Sequence, residues 1–145
     1  MSAMLSHSRE VEIEFGDCDP AGIVYYPNYF RMFDAATAHL FEAALGMKKI
    51  AWTKHFGVVG IPVVETGATF SRPSRFGDVV TITSTLVAFK RSSFEVAHRL
   101  TNGGVLAIEA HETRVWAEAD PDDAQRIRSR AIPPEVIAAF ARGQS

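Results

Sequence analysis

The stretch that decides the fold is residues 15–29, which read F-G-D-C-D-P-A-G-I-V-Y-Y-P-N-Y. Its small residues, with the pairs Asp-Pro and Ala-Gly, predict a turn. Pro27 then predicts the first turn of a helix, because proline lacks the N–H group that would have no partner there. The stretch therefore places two acids, Asp17 and Asp19, a few residues before a helix N-terminus.

A helix start combines free backbone N–H groups with the positive end of the helix dipole, and both polarise a carbonyl oxygen. A carboxylate beside such a helix start supplies the parts of an acyl-transfer site. The alternative is that Asp17 or Asp19 only caps the turn. The residues alone leave both interpretations open.

Behind Pro27, residues at steps of three and four predict one long helix with a buried face: Phe30, Phe33, Thr37, Leu40, Phe41 and Ala44. Gly46 predicts its C-cap. A short second helix is expected over residues 48–56, and a C-terminal helix over 134–142.

The rest of the chain predicts strands. Val11, Ile13 and Phe15 alternate with glutamates, which indicates a half-buried first strand. Valine, isoleucine, threonine and phenylalanine are enriched over 61–70, 79–89, 93–101 and 105–119, and Asn-Gly-Gly at 102–104 predicts a hairpin. Residues 120–129 read as a polar loop. The order indicates a single α+β domain over 1–145, with an antiparallel five-stranded sheet around one long central helix.

Composition excludes several classes of protein. The 145 residues are 47% apolar, which suffices for one sizeable core, and the net charge of −2 favours neither nucleic acid nor an anionic membrane as a partner. The single cysteine, Cys18, excludes an internal disulfide and fits a reducing cytoplasm. The start of the chain does not resemble a signal peptide, and no apolar run approaches the ~20 residues of a membrane span. We expect a cytoplasmic protein.

The run G-D-C-D-P-A-G-I-V-Y-Y-P-N-Y resembles the signature of 4-hydroxybenzoyl-CoA thioesterases, within the hot-dog fold superfamily of acyl-CoA thioesterases. Weaker similarity over 60–64, 90–94 and 130–140 extends the resemblance across most of the chain. It implies a sheet wrapped around the long helix and edge-to-edge pairing into a homodimer or homotetramer. It implies no cofactor, since coenzyme A is part of the substrate.

The resemblance also implies roles for particular residues. Asp19, the second acid of the D-x-D, is the expected catalytic carboxylate, acting as nucleophile or general base, and the backbone N–H of Tyr26 is the expected carbonyl polariser. Asp34 matches an acid near the aromatic end of the substrate. Lys90 and Arg91 match a basic cluster that contacts the nucleotide of coenzyme A. In this chain Ser92 stands where the family carries a further basic residue.

Other polar residues are read as structural. Asp17 is expected to be a cap or turn ligand, and the basic pair Arg72 and Arg75 to be solvated. No metal is expected, because His98 and His111 fall on separate strands without a third ligand at matching spacing. Residues 47–52 depart from the family pattern and are expected to line the acyl pocket.

These observations predict an acyl-CoA thioesterase that hydrolyses a small, aromatic, 4-hydroxybenzoyl-like CoA thioester to free acid and CoA. Aromatic residues around the helix start favour a short slot over a deep tunnel; they are Tyr25, Tyr26, Tyr29, Phe30 and Phe33. The alternatives are a thioesterase for aliphatic or carrier-protein-bound acyl chains and a non-catalytic acyl-CoA binding module.

Overall fold

The computed structural model describes residues 4–142. Its elements, in chain order, are β1 (Ser6–Glu12), α1 (Pro27–Leu45), α2 (Lys49–Phe56), β2 (Val63–Phe70), β3 (Val79–Phe89), β4 (Ser93–Asn102), β5 (Val105–Val115), β6 (Ala117–Asp120), β7 (Asp123–Ser129) and α3 (Pro134–Arg142). A short 3₁₀ turn over Phe15–Asp17 follows β1. None of the helices in the described range is long and apolar enough to cross a membrane.

Five strands form one antiparallel sheet in the order β1-β3-β4-β5-β2, so β1 and β2 are its edges. Helix α1 packs against the sheet and is the longest helix of the described chain. The predicted five-stranded antiparallel sheet around one long helix is thereby confirmed. The remaining two strands, β6 and β7, pair with each other in a separate hairpin.

Helix α1 has the boundaries that its sequence predicts. Pro27 occupies its first turn, and Gly46 ends it in the left-handed region at φ 69°, donating its N–H to Glu42 O at 2.8 Å. The residues between present one buried face at helical spacing: Tyr29, Met32, Phe33, Ala36, Thr37, Leu40 and Phe41.

The core consists of two apolar clusters along α1. The first surrounds the N-terminal half of the helix and includes Tyr29, Met32, Phe33, Val80, Ile82, Leu100 and Ile108. The second surrounds the C-terminal half and includes Leu40, Phe41, Trp52, Leu86, Val96, Trp116 and Phe140. Helices α2 and α3 contribute to the second cluster.

Between the two clusters lies a buried polar band, formed by Thr37, Ser84, His98, Glu112 and Arg114. Each member interrupts an otherwise apolar row of inward-facing residues on its helix or strand. Burying polar groups is unfavourable unless they bond to one another, so the band must be internally satisfied.

Three sequence predictions require correction. Phe15 does not face inward from a first strand: β1 ends at Glu12, and Phe15 lies in the 3₁₀ turn, 78% exposed against the ring of Phe76. The strand expected over 105–119 is two strands, separated at Trp116. The loop expected over 120–129 is largely strand β7, which pairs with β6. All side chains of β7 are exposed, so its sequence carries no alternation of apolar and polar residues.

Candidate active site

The loop before α1 is closed by backbone hydrogen bonds. Asp19 N–H donates to Ile23 O and Gly22 N–H donates to Asp19 O, each at 2.9 Å, and Gly22 takes a left-handed φ of 81° that this tight return requires. Val24 N–H donates to Ser74 O at 3.0 Å, which attaches the loop to the segment before β3. The loop is therefore a fixed platform at the helix start.

Asp17 holds this platform together. Its carboxylate accepts hydrogen bonds from the Arg31 guanidinium at 2.5 Å and from Glu14 N–H at 2.9 Å. Its backbone carbonyl accepts from Tyr25 N–H and from the Asn28 side chain, both at 2.9 Å. Both carboxylate oxygens are thus engaged and the residue is buried, in agreement with the predicted role as a cap and turn ligand.

Asp19 is placed differently. It is half-buried, and its Oδ1 accepts the N–H of Ala21 at 2.8 Å in an Asx-type turn. Among the hydrogen bonds of residues 4–142, none engages Oδ2. The residue lines a hollow of about 410 Å³ whose walls include the exposed rings of Phe15 and Phe76. Asp19 therefore lines a partly apolar hollow and has one carboxylate oxygen without a hydrogen-bond partner among residues 4–142.

The start of α1 leaves one N–H group open. Asn28 N–H donates to Tyr25 O at 2.8 Å and Tyr29 N–H donates to Tyr26 O at 3.1 Å, while Pro27 has no N–H. Within the described range, no acceptor is found for Tyr26 N–H. The ring of Tyr26 is 61% exposed and lies edge-on to Phe70 of β2, beside a hollow of about 320 Å³.

The aromatic residues of the helix start divide into two groups. Phe33 and Tyr29 are 1% and 3% exposed and pack in the core, whereas Tyr25 and Tyr26 are 53% and 61% exposed. Phe30 is intermediate and lies edge-on to Phe70. Of the five rings expected to form the slot, Tyr25 and Tyr26 are therefore the exposed ones, and Tyr26 and Tyr29 line a hollow.

Asp34 lies in a separate pocket of about 330 Å³. Its other walls include Lys49, the segment 59–63, Arg114 and Ile127. Lys49 lies within the segment 47–52, but Trp52 of the same segment is fully buried in the core. Of the segment 47–52, the structure therefore places Lys49, at the start of α2, at the Asp34 pocket.

Asp34 is attached to the buried polar band by an ion pair that the sequence alone did not predict. Arg114 Nη2 donates to Asp34 Oδ1 at 2.8 Å, although the two residues are 80 positions apart. Arg114 also donates through Nε and Nη2 to the two oxygens of Glu112, at 2.9 and 3.0 Å. The sequence did contain one indication of this pair: residues 112 and 114 are both charged, and both lie on the inward face of a buried strand, where charged residues are rare unless they are paired.

Glu112 is an ionised group inside the core. Burial favours the neutral acid, but hydrogen bonds from His98 and Arg114 and the charge of Arg114 outweigh it, and they lower the pKa of Glu112 to about 2. Thr37 Oγ1 donates to Glu112 Oε1 at 2.6 Å, and Ser84 Oγ lies 2.7 Å from His98 Nδ1. The band is therefore a connected network from the core to the Asp34 pocket.

Lys90 and Arg91 form the exposed turn between β3 and β4. Lys90 N–H donates to Ser93 O at 2.8 Å, and Arg91 O accepts from Ile132 N–H at 2.8 Å. The second contact attaches the turn to the segment after β7.

The candidate residues fall at two ends of the sheet. The helix-start end holds Asp19, Tyr26 and Phe70. The basic-turn end holds Asp34, Arg114 and the Lys90–Arg91 turn, since Arg114 pairs in register with Phe94 and Val63. Strand β2 joins the two ends and spans about 23 Å between Val63 and Phe70, at roughly 3.3 Å per residue. One protomer therefore does not bring all the predicted residues into one pocket.

Residues 13–140 match the family model described as the thioesterase-like superfamily. The chain belongs to this family. It is 38% identical over 138 residues to a 4-hydroxybenzoyl-CoA thioesterase of Pseudomonas sp. strain CBS-3, covering 91% of this chain and 95% of the relative. It is 32% identical over 138 residues to a 1,4-dihydroxy-2-naphthoyl-CoA hydrolase of Synechococcus elongatus, with 92% and 93% of the two chains covered.

Solved structures agree with these relatives. The crystallised 4-hydroxybenzoyl CoA thioesterase from Pseudomonas sp. strain CBS-3 superposes with a TM-score of 0.84 at 35% identity, covering 92% of this chain and 98% of that one. A gentisyl-coenzyme A thioesterase superposes with a TM-score of 0.80 at 31% identity, covering 92% and 99%. The predicted hot-dog fold and the predicted class of enzyme, an acyl-CoA thioesterase, are confirmed.

Proposed function

We propose that this thioesterase hydrolyses a small, 4-hydroxybenzoyl-like aromatic CoA thioester to the free acid and CoA, with Asp19 as the reacting carboxylate. The observation that carries the proposal is the unengaged Oδ2 of Asp19 on a loop that leads directly into the open N–H of Tyr26. The relatives named for aromatic CoA thioesters support the choice of acyl group.

Two routes use this arrangement. In the first, Asp19 attacks the thioester carbonyl carbon, the C–S bond breaks, CoA leaves as a thiolate, and water hydrolyses the resulting anhydride. In the second, Asp19 takes a proton from a water molecule whose oxygen attacks the carbonyl carbon; the C–S bond then breaks and CoA leaves as a thiolate, which takes up a proton. In both, the Tyr26 N–H stabilises the negative oxygen that develops, which is typically worth about 3 kcal/mol of barrier. Neither route requires a cofactor.

A rapid-quench experiment separates the two routes. With enzyme in excess of 4-hydroxybenzoyl-CoA, covalent attack predicts thiol release before free acid forms, with the aroyl group attached to the protein. The general-base route predicts that thiol and free acid appear together. Asp19→Asn should remove the covalent species in the first case, whereas Asp17→Asn should retain it.

The two ends of the sheet become one site if two copies pair through β2. Val63, Val64 and Phe70 of this edge strand are 41%, 61% and 44% exposed. Proteins normally cover or protect an edge strand with such an exposed apolar surface. A two-fold antiparallel pairing places the Val63 end of one copy beside the Phe70 end of the other. The helix-start end of one copy then meets the basic-turn end of its partner.

We therefore propose a homodimer or homotetramer with composite sites. Asp19 and Tyr26 of one copy supply the chemistry, while Asp34 of the other faces the ring and its Lys90–Arg91 turn binds the nucleotide phosphates as point charges. The exposed position of the turn suits contact with a nucleotide at the surface.

We also propose a cytoplasmic location for the protein. The free thiol of Cys18 supports it, because thiols stay reduced in that compartment.

Substitution of the edge strand tests the assembly. Val64→Lys should give monomers in sedimentation and lose most activity, because a lysine on an edge strand opposes pairing. Val87→Lys is the matched control, since Val87 is also an exposed valine, at 49%, but lies on the internal strand β3. A fully active Val64→Lys monomer would contradict the composite site.

Complementation tests the sharing of residues. Copies carrying Asp19→Asn and copies carrying Lys90→Ala with Arg91→Ala are each impaired. Random pairing gives one intact site in half of the dimers, so about a quarter of wild-type activity should return at low substrate concentration. Activity equal to the mean of the separate variants would show that each copy works alone.

A further inference from the structure

Arg114 is a buried cation with almost no freedom of its own. Its side chain is 3% exposed. Both oxygens of Glu112 accept from its Nε and Nη2, and Ile61 O accepts from its Nη1 at 2.9 Å. A guanidinium held as a two-pronged donor and anchored on a third side has one orientation.

Asp34, in contrast, is an exposed residue. Its side chain is 63% exposed on the surface of α1, where a carboxylate ordinarily samples several rotamers. The 2.8 Å bond from Arg114 Nη2 to Oδ1 removes that freedom. In the described chain, Oδ2 has no hydrogen-bond partner, and Asp34 is one of the residues that line the pocket. One oxygen is therefore fixed by the core, and the other is available to a ligand.

We infer that Arg114, held by Glu112, is a positioning residue that fixes the carboxylate of Asp34 so that the enzyme selects substrates whose ring carries an uncharged hydrogen-bond donor. This inference rests on the proposed function and concerns the specificity of the same site. Arg114 acts through Asp34 and is not assigned a contact with the substrate.

The charges of the pocket determine which substituents it accepts. Glu112 and Asp34 together carry two negative charges against the single positive charge of Arg114, and every nitrogen of Arg114 is engaged. The other cation at the pocket, Lys49, is an exposed residue. A hydroxyl or amino group can donate to Asp34 Oδ2, whereas an ether cannot donate and a carboxylate is repelled.

A panel of para-substituted benzoyl-CoA thioesters tests this selectivity. We expect kcat/KM for the 4-hydroxy and 4-amino substrates to exceed that for the 4-methoxy substrate by about tenfold or more, with the 4-carboxy substrate lowest. The methoxy group retains an oxygen at the same place but has no proton to donate. Equal values for hydroxy and methoxy substrates would overturn the inference.

The role of Arg114 requires a variant that does not leave a buried charge unpaired. Replacing both members of a buried ion pair with apolar residues is commonly tolerated, whereas replacing one is not. In Glu112→Met with Arg114→Met, the ratio of kcat/KM for hydroxy over methoxy substrates should fall towards one. Arg114→Lys should give an intermediate ratio, because the lysine ammonium can reach one carboxylate but cannot donate to Glu112 and Asp34 together in the geometry of the planar guanidinium.

Thr37→Val is the matched control. Thr37 bonds to Glu112 from the opposite side of the band, so its loss weakens the same network while the bond from Arg114 to Asp34 remains. The hydroxy-to-methoxy ratio should stay at the wild-type value even if thermal stability falls. A similar fall of the ratio in Thr37→Val would show that general loosening, and not positioning, sets the ratio.

The outcomes separate this inference from the proposed function. If the wild type cleaves no aromatic CoA thioester, both fail. If it cleaves them and the double methionine variant, or Arg114→Lys should that variant not fold, keeps the wild-type ratio, only the positioning role fails. Crystal structures add an independent readout: Asp34 should occupy one rotamer in the wild type and several in the double variant.

Discussion

The two ends of the sheet hold their carboxylates in opposite ways. At the helix-start end, Asp19 is held by one backbone N–H of its own loop and keeps Oδ2 without a partner in the described chain. At the basic-turn end, Asp34 is fixed by a guanidinium that is itself anchored in the core. A group that reacts must keep its electron pairs available, whereas a group that recognises must keep its direction. The difference between the two acids matches the tasks proposed for them, reaction for Asp19 and recognition for Asp34.

At the helix-start end, we expect the largest loss of activity from Asp19→Asn. The amide keeps the size of the side chain but can neither attack a carbonyl nor accept a proton, so kcat should fall by about three powers of ten or more. The measurement is thiol release from 4-hydroxybenzoyl-CoA, with circular dichroism as the check on folding.

Asp17→Asn is the matched control for that prediction. It lies in the same loop and loses the same charge, but its carboxylate serves Arg31 and Glu14. We expect a loss of thermal stability and less than about a tenfold fall in kcat. If Asp17→Asn were the more damaging of the two, the catalytic assignment would move to Asp17.

The preference of the enzyme between a ring and a long acyl chain is the next test, because the ends of the sheet differ in the residues that would contact the acyl group. The two hollows of the helix-start end measure about 410 and 320 Å³, and the Asp34 pocket about 330 Å³. Exposed aromatic rings of Phe15, Phe76 and Tyr26 line the hollows of the helix-start end, and such walls suit a ring better than a long flexible chain. We therefore expect kcat/KM for benzoyl-CoA to exceed that for palmitoyl-CoA by about a hundredfold. A preference for palmitoyl-CoA would favour an aliphatic thioesterase.

At the basic-turn end, Lys90→Ala combined with Arg91→Ala should act on binding. Phosphate contacts are equal in the ground and transition states, so KM should rise about tenfold with a smaller change in kcat. Substrates truncated to the pantetheine arm should show no such penalty. Arg99→Ala is the control, because Arg99 is also exposed but pairs with Glu109 elsewhere on the sheet.

The polar band between the two ends predicts a dependence of stability on pH. Glu112 has a folded pKa of about 2 against an ordinary 4.5. Since the folded pKa is the lower one, the stabilisation is present above pH 4.5 and is lost as the pH falls towards 2, and its full size is about 3 kcal/mol. Urea unfolding at several pH values should show this loss in the wild type, and Glu112→Gln should lack it.

Much of this fold follows from short-range patterns. Pro27 and Gly46 mark the ends of α1 because the backbone chemistry of helix termini depends on those residue types. Strand β7 could not be found in this way, since it pairs with β6 and leaves every side chain exposed. Its strand conformation is determined by hydrogen bonds to a neighbour and not by burial.

The candidate site also contains features that the sequence predicts and features that it does not. A local motif and its resemblance to a family assigned different tasks to Asp17 and Asp19; the contacts of Asp17 agree with its predicted role in the turn, and the catalytic role of Asp19 stays a prediction. The bond from Arg114 to Asp34 could not be predicted, because it joins residues 80 positions apart. The separation of Tyr26 from the Lys90–Arg91 turn is also a property of the sheet and becomes visible only when β2 is seen to connect them.

The two tryptophans of the chain also have a practical consequence. Trp52 and Trp116 are fully buried and stacked at 5.6 Å and 13°, and among the described residues neither indole N–H has an acceptor. Their fluorescence therefore originates from one buried place, where α2 packs against the residue between β5 and β6. Substitutions at Asp19 or Lys90 do not touch it. An unchanged emission spectrum would report that this packing is intact in each variant, and a shift to longer wavelength would report water entering there.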